Sequence, residues 1–384
     1  MTKPFYYIGL MSGTSADGID LALVDFSQNQ AKLINKYYQP YDDRTHQAIT
    51  SLYTSGNNEI DRAFELDVQL AHQFADAITE FLKQCHLLTS DIIAIGNHGQ
   101  TIRHRPELAN NKSKSAFTLQ IGCNQTLATL TNIRVVGQFR KKDIALGGQG
   151  APLVPAFHQA LFTLLDDAHQ KDIFVVNIGG IANISFLPSV TSHQGIIGFD
   201  TGPGNALMDD WYQQHHQDCR YDKNGHWAAQ GHVNQTLLTQ LLTDNYFHQP
   251  APKSTGREAF HLHWLQQKLT GFYLAPVDVQ ATLAMLTAKT ICDEILNYSQ
   301  AARIYLCGGG ILNKNLCSVI NHLLKETGHD FELLTTDDVN IDSDALEAMA
   351  FAWFAFAFDH QIVGNIPAVT GASKTAILGT NYLP

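Results

Sequence analysis

Charged side chains are scarce in this 384-residue chain: Lys, Arg, Asp and Glu make up 16% of it, against about a quarter in an ordinary globular protein. Gln, Asn, Ser, Thr and 18 His must therefore supply much of its surface polarity. The charges lean acidic, 25 basic against 36, for a net charge of −11. That argues against non-specific nucleic-acid binding, which needs excess Lys and Arg. Trp and Tyr are too scattered for a base-stacking platform. Long apolar runs are missing too. The longest, Ala348 to Phe358, has 11 residues, and a membrane-spanning helix needs about 20. The N-terminus passes from Pro4-Phe5 into a predicted strand without an apolar signal core. Cys85, Cys123, Cys219, Cys292, Cys307 and Cys317 show no C-x-x-C spacing and no zinc-type pairing with His. A reduced, disulfide-free, cytoplasmic protein is expected.

Several catalytic signatures are also missing. No G-x-x-x-x-G-K-[ST] is present, so Walker-type nucleotide binding is excluded as a motif. No G-x-G-x-x-G opens a helix after a strand. Gly202-Pro203-Gly204 comes closest, but its proline and the missing third glycine argue against a dinucleotide site. The G-x-S-x-G elbow of α/β-hydrolases is absent. A nucleotide, if used, must be held by some other glycine turn.

The length suggests two domains, and no linker composition marks their boundary. Strand-like and helix-like segments alternate, an α/β pattern. Strands are predicted at Tyr6–Leu10, Leu21–Phe26, Ile92–Ile95, Ile173–Val176, Ile184–Leu187, Gly195–Phe199 and Arg303–Leu306. Leu66, Leu70, Phe74, Ala77, Ile78 and Phe81 recur at helical steps over Glu65–Leu82. Four glycine turns follow predicted strands, at Gly13–Gly18, Gly179-Gly180, Gly202–Asn205 and Gly308–Gly310. Ligands of open α/β sheets bind beyond the carboxyl ends of strands. The first two turns each join a strand to a returning strand, an echo that suggests two related halves, although short glycine hairpins are common.

The turn Gly13-Thr14-Ser15-Ala16-Asp17-Gly18 offers two hydroxyls, two glycines and a carboxylate. Glycine lets backbone N–H groups converge on a phosphate, and an Asp nearby can hold Mg²⁺ directly or through water. An ordinary hairpin corner fits it equally well. Asp200 is expected at a strand end beside Gly-Pro-Gly, a place for a general base, though an Asx turn explains an isolated Asp there. Asn205 reads as the helix cap. Asp344 and Glu347 have capping-box spacing, and the Ala/Phe-rich stretch behind them reads as a core helix. Among 18 His, His98 has no special claim. Arg103, Arg105, Arg140, Lys141, Lys142, Lys253 and Arg257 form basic islands, usually solvated faces. Those beside Gly147–Gly150 and Ser254–Gly256 leave a carboxylate or phosphate pocket open.

Together these segments closely resemble the anhydro-N-acetylmuramic acid kinases of the acetate and sugar kinase/Hsp70/actin superfamily. The matching stretches are Ile8–Asp20, Gly96–His104, Gly147–Pro155, Asn177–Gly180, Gly198–Asn205, Lys253–Glu258 and Cys307–Gly310. They span the chain from about residue 6 onward, and Ala16, where a larger apolar residue is commoner, is the one departure noted. The resemblance implies an α/β, two-lobed actin-like (ribonuclease H-like) fold with ATP between the lobes. The first lobe is expected at 1–140 with 360–384, the second at 141–359. It implies a reaction in which ATP, water and 1,6-anhydro-N-acetylmuramate give N-acetylmuramate 6-phosphate and ADP. Asp200 would be the base and Glu347 a second active-site acid. Gly13, Thr14, Ser15, Ala16, Asp17, Gly18, Ile19 and Asp20 would line the phosphates with Mg²⁺ near Asp17. Asn177, Gly179 and Gly180 would form a second phosphate loop, and Gly308, Gly309 and Gly310 would lie against the nucleoside. His98, Arg103, Arg140, Gly202 and Asn205 are candidate sugar contacts. An ordinary sugar kinase or a non-catalytic nucleotide sensor on the same scaffold are the alternatives, as is a structural α/β protein. The expected partner is a small sugar, with neither nucleic acid nor membrane, and a homodimer stays open.

Overall fold

In the computed structural model, which describes residues 4–28, 30–106, 115–163, 170–216, 220–257 and 259–384, short apolar runs become strands. In chain order these are β1 (Tyr6–Ser12), β2 (Gly18–Asp25), β3 (Lys32–Pro40), β4 (Ile92–Arg105), β5 (Phe117–Ile121) and β6 (Val135–Gly137). They continue with β7 (Asp172–Ile178), β8 (Ile181–Leu187), β9 (Ile197–Pro203), β10 (Ala301–Cys307), β11 (Asp330–Thr335) and β12 (Thr380–Tyr382). Cys219 and Glu258 lie outside the described residues. Among the described residues no helix is long and apolar enough to cross a membrane.

The chain divides into two compact units, Met1–Leu164 with Ala345–Pro384, and Leu165–Asp344. Their sheets follow one plan. In the first, the order is β12-β6-β4-β1-β2-β3, with β5 also on β4. In the second it is β11-β10-β7-β8-β9. In both, the unit's first strand along the chain (β1, β7) pairs antiparallel with its second (β2, β8) and parallel with its fourth (β4, β10). This is the ribonuclease H-like arrangement expected from the resemblance. Each unit encloses its own core. One gathers Ile8, Leu10, Leu70, Phe74 and Phe81, the other Phe174, Phe186, Leu283 and Ile291.

The unit boundaries differ from the expected lobes. Residues 141–164 and 345–359 belong to the first unit, because the helix Leu346–Asp359 packs on that unit's sheet. This helix is buried on all sides from Ala348 to Ala357, and it reaches the sheet where no side chain intervenes. A Cβ on Gly9 in β1 would collide with the Ala348 carbonyl, and one on Gly96 in β4 with the Phe351 carbonyl. Two further corrections concern single elements. The helix carrying the Leu66–Phe81 stripe begins at Glu59, since Ile60 and Phe64 in its first turns face solvent and leave no core periodicity to read. Strand β4 runs on to Arg105, well past the strand expected at Ile92–Ile95, and its stretch from Gln100 to Arg105 pairs with β5.

Substitution Gly96→Ala should therefore cost roughly 1–3 kcal/mol by overpacking. Urea unfolding should show a lower midpoint with an unchanged slope.

Candidate active site

The turn between β1 and β2 is held from behind by its carbonyls. The Gly13 carbonyl accepts from Gln100 Nε2 at 3.0 Å, and the Thr14 carbonyl from the Tyr53 hydroxyl at 2.7 Å. Tyr38 and the Tyr41 amide hold the Asp17 carbonyl. Gln100 is fully buried; its Oε1 accepts from Ser12 Oγ, which also meets the Tyr41 hydroxyl at 2.8 Å. Burial pushes the Tyr53 hydroxyl up to about 12, with the Asp17 charge adding to it, so it stays a donor. A peptide group is planar and trans, so the Thr14 and Ser15 amides are aimed away from these anchors. Thr14, Ser15 and Asp17 are exposed. Ala16 and Ile19 do not share that orientation. The Ala16 amide donates to the Gly13 carbonyl at 3.0 Å, and both side chains are fully buried in the core.

Behind this turn, β4 and the helices Phe139–Ala145 and Leu346–Asp359 assemble a second group. His98 is buried. Its Nδ1 donates to the Gly99 carbonyl at 2.7 Å, which leaves Nε2 to accept from Arg140 Nε at 3.2 Å and Nη2 at 3.1 Å. Burial, reinforced by the Arg140 charge, holds His98 down at about 3, so the ring is neutral. Arg140 also donates to the Gly150 carbonyl at 2.8 Å. Burial lowers its guanidinium to about 10 against the opposing charges of Glu347 and Asp143, and it remains a cation. The Glu347 carboxylate retains solvent access by area, but the protein crowded around it pushes its titration upward, with Arg140 opposing. The capping box does not form, because the helix N-cap is Ala345, which has no side-chain acceptor. Buried Asp143 ties the Gly147–Gly150 loop, accepting from the Gly150 amide at 2.7 Å and from Asn365 and Thr370. Arg103 is committed to Glu59.

In the second unit, Asp200 lies in the middle of β9 rather than at its end, because the strand continues to Pro203. Its Oδ2 accepts from Ser254 Oγ and the Thr255 amide, both at 2.9 Å. Ser254 and Thr255 thus anchor one oxygen of this carboxylate. Lys253, whose side chain is 1% exposed, is an internal cation paired with Glu294 at 2.6 Å. Arg257 pairs with Asp210 at 3.1 Å. The glycine turns of this unit meet at one end of its sheet. The Ile178, Gly179 and Gly180 carbonyls accept from Asn205 Nδ2, the Asn205 amide and the Gly204 amide. Planarity again aims the following amides, those of Gly179 and Gly180, the other way. Gly204 has no space for a Cβ against the Gly179 carbonyl. The Gly308–Gly310 turn follows β10, whose Cys307 pairs with Asn177. Asn205 occupies the N-cap position without a side-chain capping bond, since that side chain reaches Ile178 instead.

The whole chain matches one family. Residues 5–384 fit the model of the anhydro-N-acetylmuramic acid kinase family. The anhydro-N-acetylmuramic acid kinase of Colwellia psychrerythraea is 57% identical, with 99% of this chain and 97% of that protein aligned. That of Saccharophagus degradans is 47% identical over the full length of both. The Photobacterium profundum enzyme is 44% identical, with 98% of each covered. The chain belongs to the anhydro-N-acetylmuramic acid kinase family. Its activity is the ATP-dependent phosphorylation of the anhydro-sugar in peptidoglycan recycling that defines the family.

Within this kinase framework, the first unit brings together Arg140, His98 and Glu347, and the second brings together Asn177, Gly179, Gly180, Asn205 and the Gly308–Gly310 turn. His98 has both ring nitrogens engaged within the protein, unlike a substrate contact. Arg103 and Lys253 are held by internal carboxylates, whatever their sequence surroundings suggested. Sequence reasoning missed Gln100 and Tyr53 as the anchors of the first turn, and Ser254 and Thr255 as holders of Asp200. Gln100 and the Ser-Thr pair lay inside quoted motifs, but nothing along the chain showed their partners. Asp209, pushed up to about 7 chiefly by burial and then by Asp210, was also not singled out.

Part of the pH dependence of stability follows from His98, with His104 and His158 lowered in the same direction. The folded value of His98 lies below the ordinary 6.5, so the unfolded chain binds the extra proton between those values. Its contribution is complete above about 6.5 and is lost as pH falls toward 3. His98→Gln should flatten the pH dependence of unfolding free energy from pH 4 to 6.5, by at most about 1.4 kcal/mol per pH unit, as measured by denaturant titration at each pH.

Proposed function

We propose that Asp200 deprotonates the water that opens the 1,6-anhydro bridge. Water attacks the anomeric carbon, Asp200 takes its proton, and the C1–O6 bond breaks. The departing O6 attacks the γ-phosphorus of ATP, and ADP leaves. The observation that carries this reading is the carboxylate of Asp200, oriented by a hydroxyl and a backbone amide in the unit whose glycine turns share one end of the sheet. A base must be aimed before its basicity matters.

The outward amides of Thr14 and Ser15 suit a phosphate, as do those of Gly179 and Gly180, and the Gly308–Gly310 turn suits the nucleoside. No group of three or more His, Cys, Asp or Glu able to hold a metal occurs among the described residues. This fits Mg²⁺, which in kinases takes one or two carboxylates, waters and the nucleotide's own phosphates. Asp17, exposed in the first turn, would hold it directly or through water. Bound there, Mg²⁺ would offset charge on the phosphates. Arg140 and Glu347 serve the sugar, the cation suiting the lactyl carboxylate. The absence of disulfides among the described cysteines supports a reducing, cytoplasmic setting.

ADP release should require the anhydro-sugar and fall sharply with its ring-opened counterpart. Solvent ¹⁸O should appear at the anomeric carbon of the product; its absence would leave plain hydroxyl phosphorylation. Asp200→Asn should lower kcat by about 10²–10⁴-fold, with KM for ATP little changed. Undiminished turnover in that variant sinks the base assignment.

A further inference from the structure

His98 touches two helices of the first unit, Phe139–Ala145 and Leu346–Asp359, which also pack directly where Phe139 meets Phe351 and Phe354, with ring centroids 5.8 and 5.4 Å apart. Its Nε2 accepts from Arg140 Nε and Nη2 at 3.2 and 3.1 Å. Its ring rests on Phe351, with centroids 4.6 Å apart. Phe351 lies one helical turn beyond Glu347, and residues four apart share a helix face. One imidazole therefore touches both the residue bearing the positive charge and the helix bearing the negative one. A guanidinium presents five donors in a rigid plane. His98 engages the Nε/Nη2 edge and the Gly150 carbonyl engages Nη1, so the plane is fixed along two edges.

We infer that His98 is a positioning residue of the kinase reaction, setting Arg140 against Glu347 so that the pair meets the sugar already formed. It makes no contact with the sugar itself. This rests on the assignment of Arg140 and Glu347 to the sugar. The imidazole is suited to the task only as the neutral ring. With a proton on Nε2 it would set donor against donor, and the Gly99 carbonyl on Nδ1 selects the tautomer that keeps Nε2 an acceptor. A carboxylate at the same position would accept equally well, but it would neutralise Arg140 and remove its attraction for an anion. A neutral acceptor orients the cation and leaves its charge available.

The test is steady-state ADP release by the full chain, with anhydro-sugar and ATP varied separately. His98→Ala should raise the sugar KM by about tenfold or more, the scale of a lost positioning contact, and move the ATP KM by less than about twofold. His98→Gln, whose Oε1 restores an uncharged acceptor, should bring the sugar KM back to within about threefold of wild type. If His98→Ala does not fold, His98→Asn takes its place as the variant without a correctly placed acceptor. The inference is overturned if the variant lacking the acceptor melts earlier yet keeps its sugar KM, or if both KM values rise together. It is also overturned if His98→Gln is folded but no better than His98→Ala. Arg140→Lys and Glu347→Gln separate the two readings. If they leave the sugar KM unmoved, the sugar assignment fails and this inference with it. If they raise it while His98→Ala does not, only the role of His98 falls.

Discussion

Because a peptide group is planar, tying its carbonyl to one side fixes its amide on the other. Both glycine hairpins of this protein are built on that constraint. In the first unit the carbonyls of Gly13 and Thr14 are tied by side chains, Gln100 and Tyr53. In the second the Ile178 carbonyl is tied by the Asn205 side chain and the Gly179 carbonyl by the Asn205 amide. Equivalent hairpins on one strand plan thus reach the same amide orientation by different means. The first depends on hydroxyl and amide side chains that donate to its carbonyls from one side. The second depends on a close approach that tolerates no Cβ at Gly204, reinforced by the Thr287 hydroxyl on the Pro203 and Gly204 carbonyls. Loss of the first would come through polar substitutions, and loss of the second through added volume.

Close approach of backbones also decides where Glu347 stands. With Gly9 and Gly96 beneath it, the helix Leu346–Asp359 sits directly on β1 and β4. That seat settles the height of its first turn, and so the place of Glu347 relative to Arg140. Phe351 then meets His98 as a consequence of helical spacing. Packing and electrostatics are not separable here, since the contact that buries an aromatic ring also orients a guanidinium.

The chain made the glycine turns legible because a backbone requirement appears in sequence as glycine, whatever the tertiary partner. The two-sheet plan was visible for a related reason: short apolar runs ending in glycine turns repeat at a distance. Partnerships across the fold were not visible. Arg103 and Glu59 stand 44 residues apart and Lys253 and Glu294 stand 41 apart, so local sequence presented each basic residue as available. The capping spacing at Asp344 and Glu347 misled because the helix begins one residue later, with Ala345 in the cap. The unit boundary was hidden because Leu346–Asp359 is apolar on every side and composition does not say which sheet it covers.

The scarcity of charge acquires a meaning once the buried cations are compared. Arg103 has Glu59 and Lys253 has Glu294, each in direct contact. A buried charge left without a partner is costly, and these pairs conform. Arg140 is arranged differently. Its hydrogen bonds go to the neutral His98 and to the Gly150 carbonyl, while its countercharge reaches it as the field of Glu347 and Asp143. Neutral acceptors meet the geometric demand of the guanidinium without cancelling its charge. In a protein that uses ions sparingly, a cation oriented by uncharged partners is suited to an anion that arrives from outside.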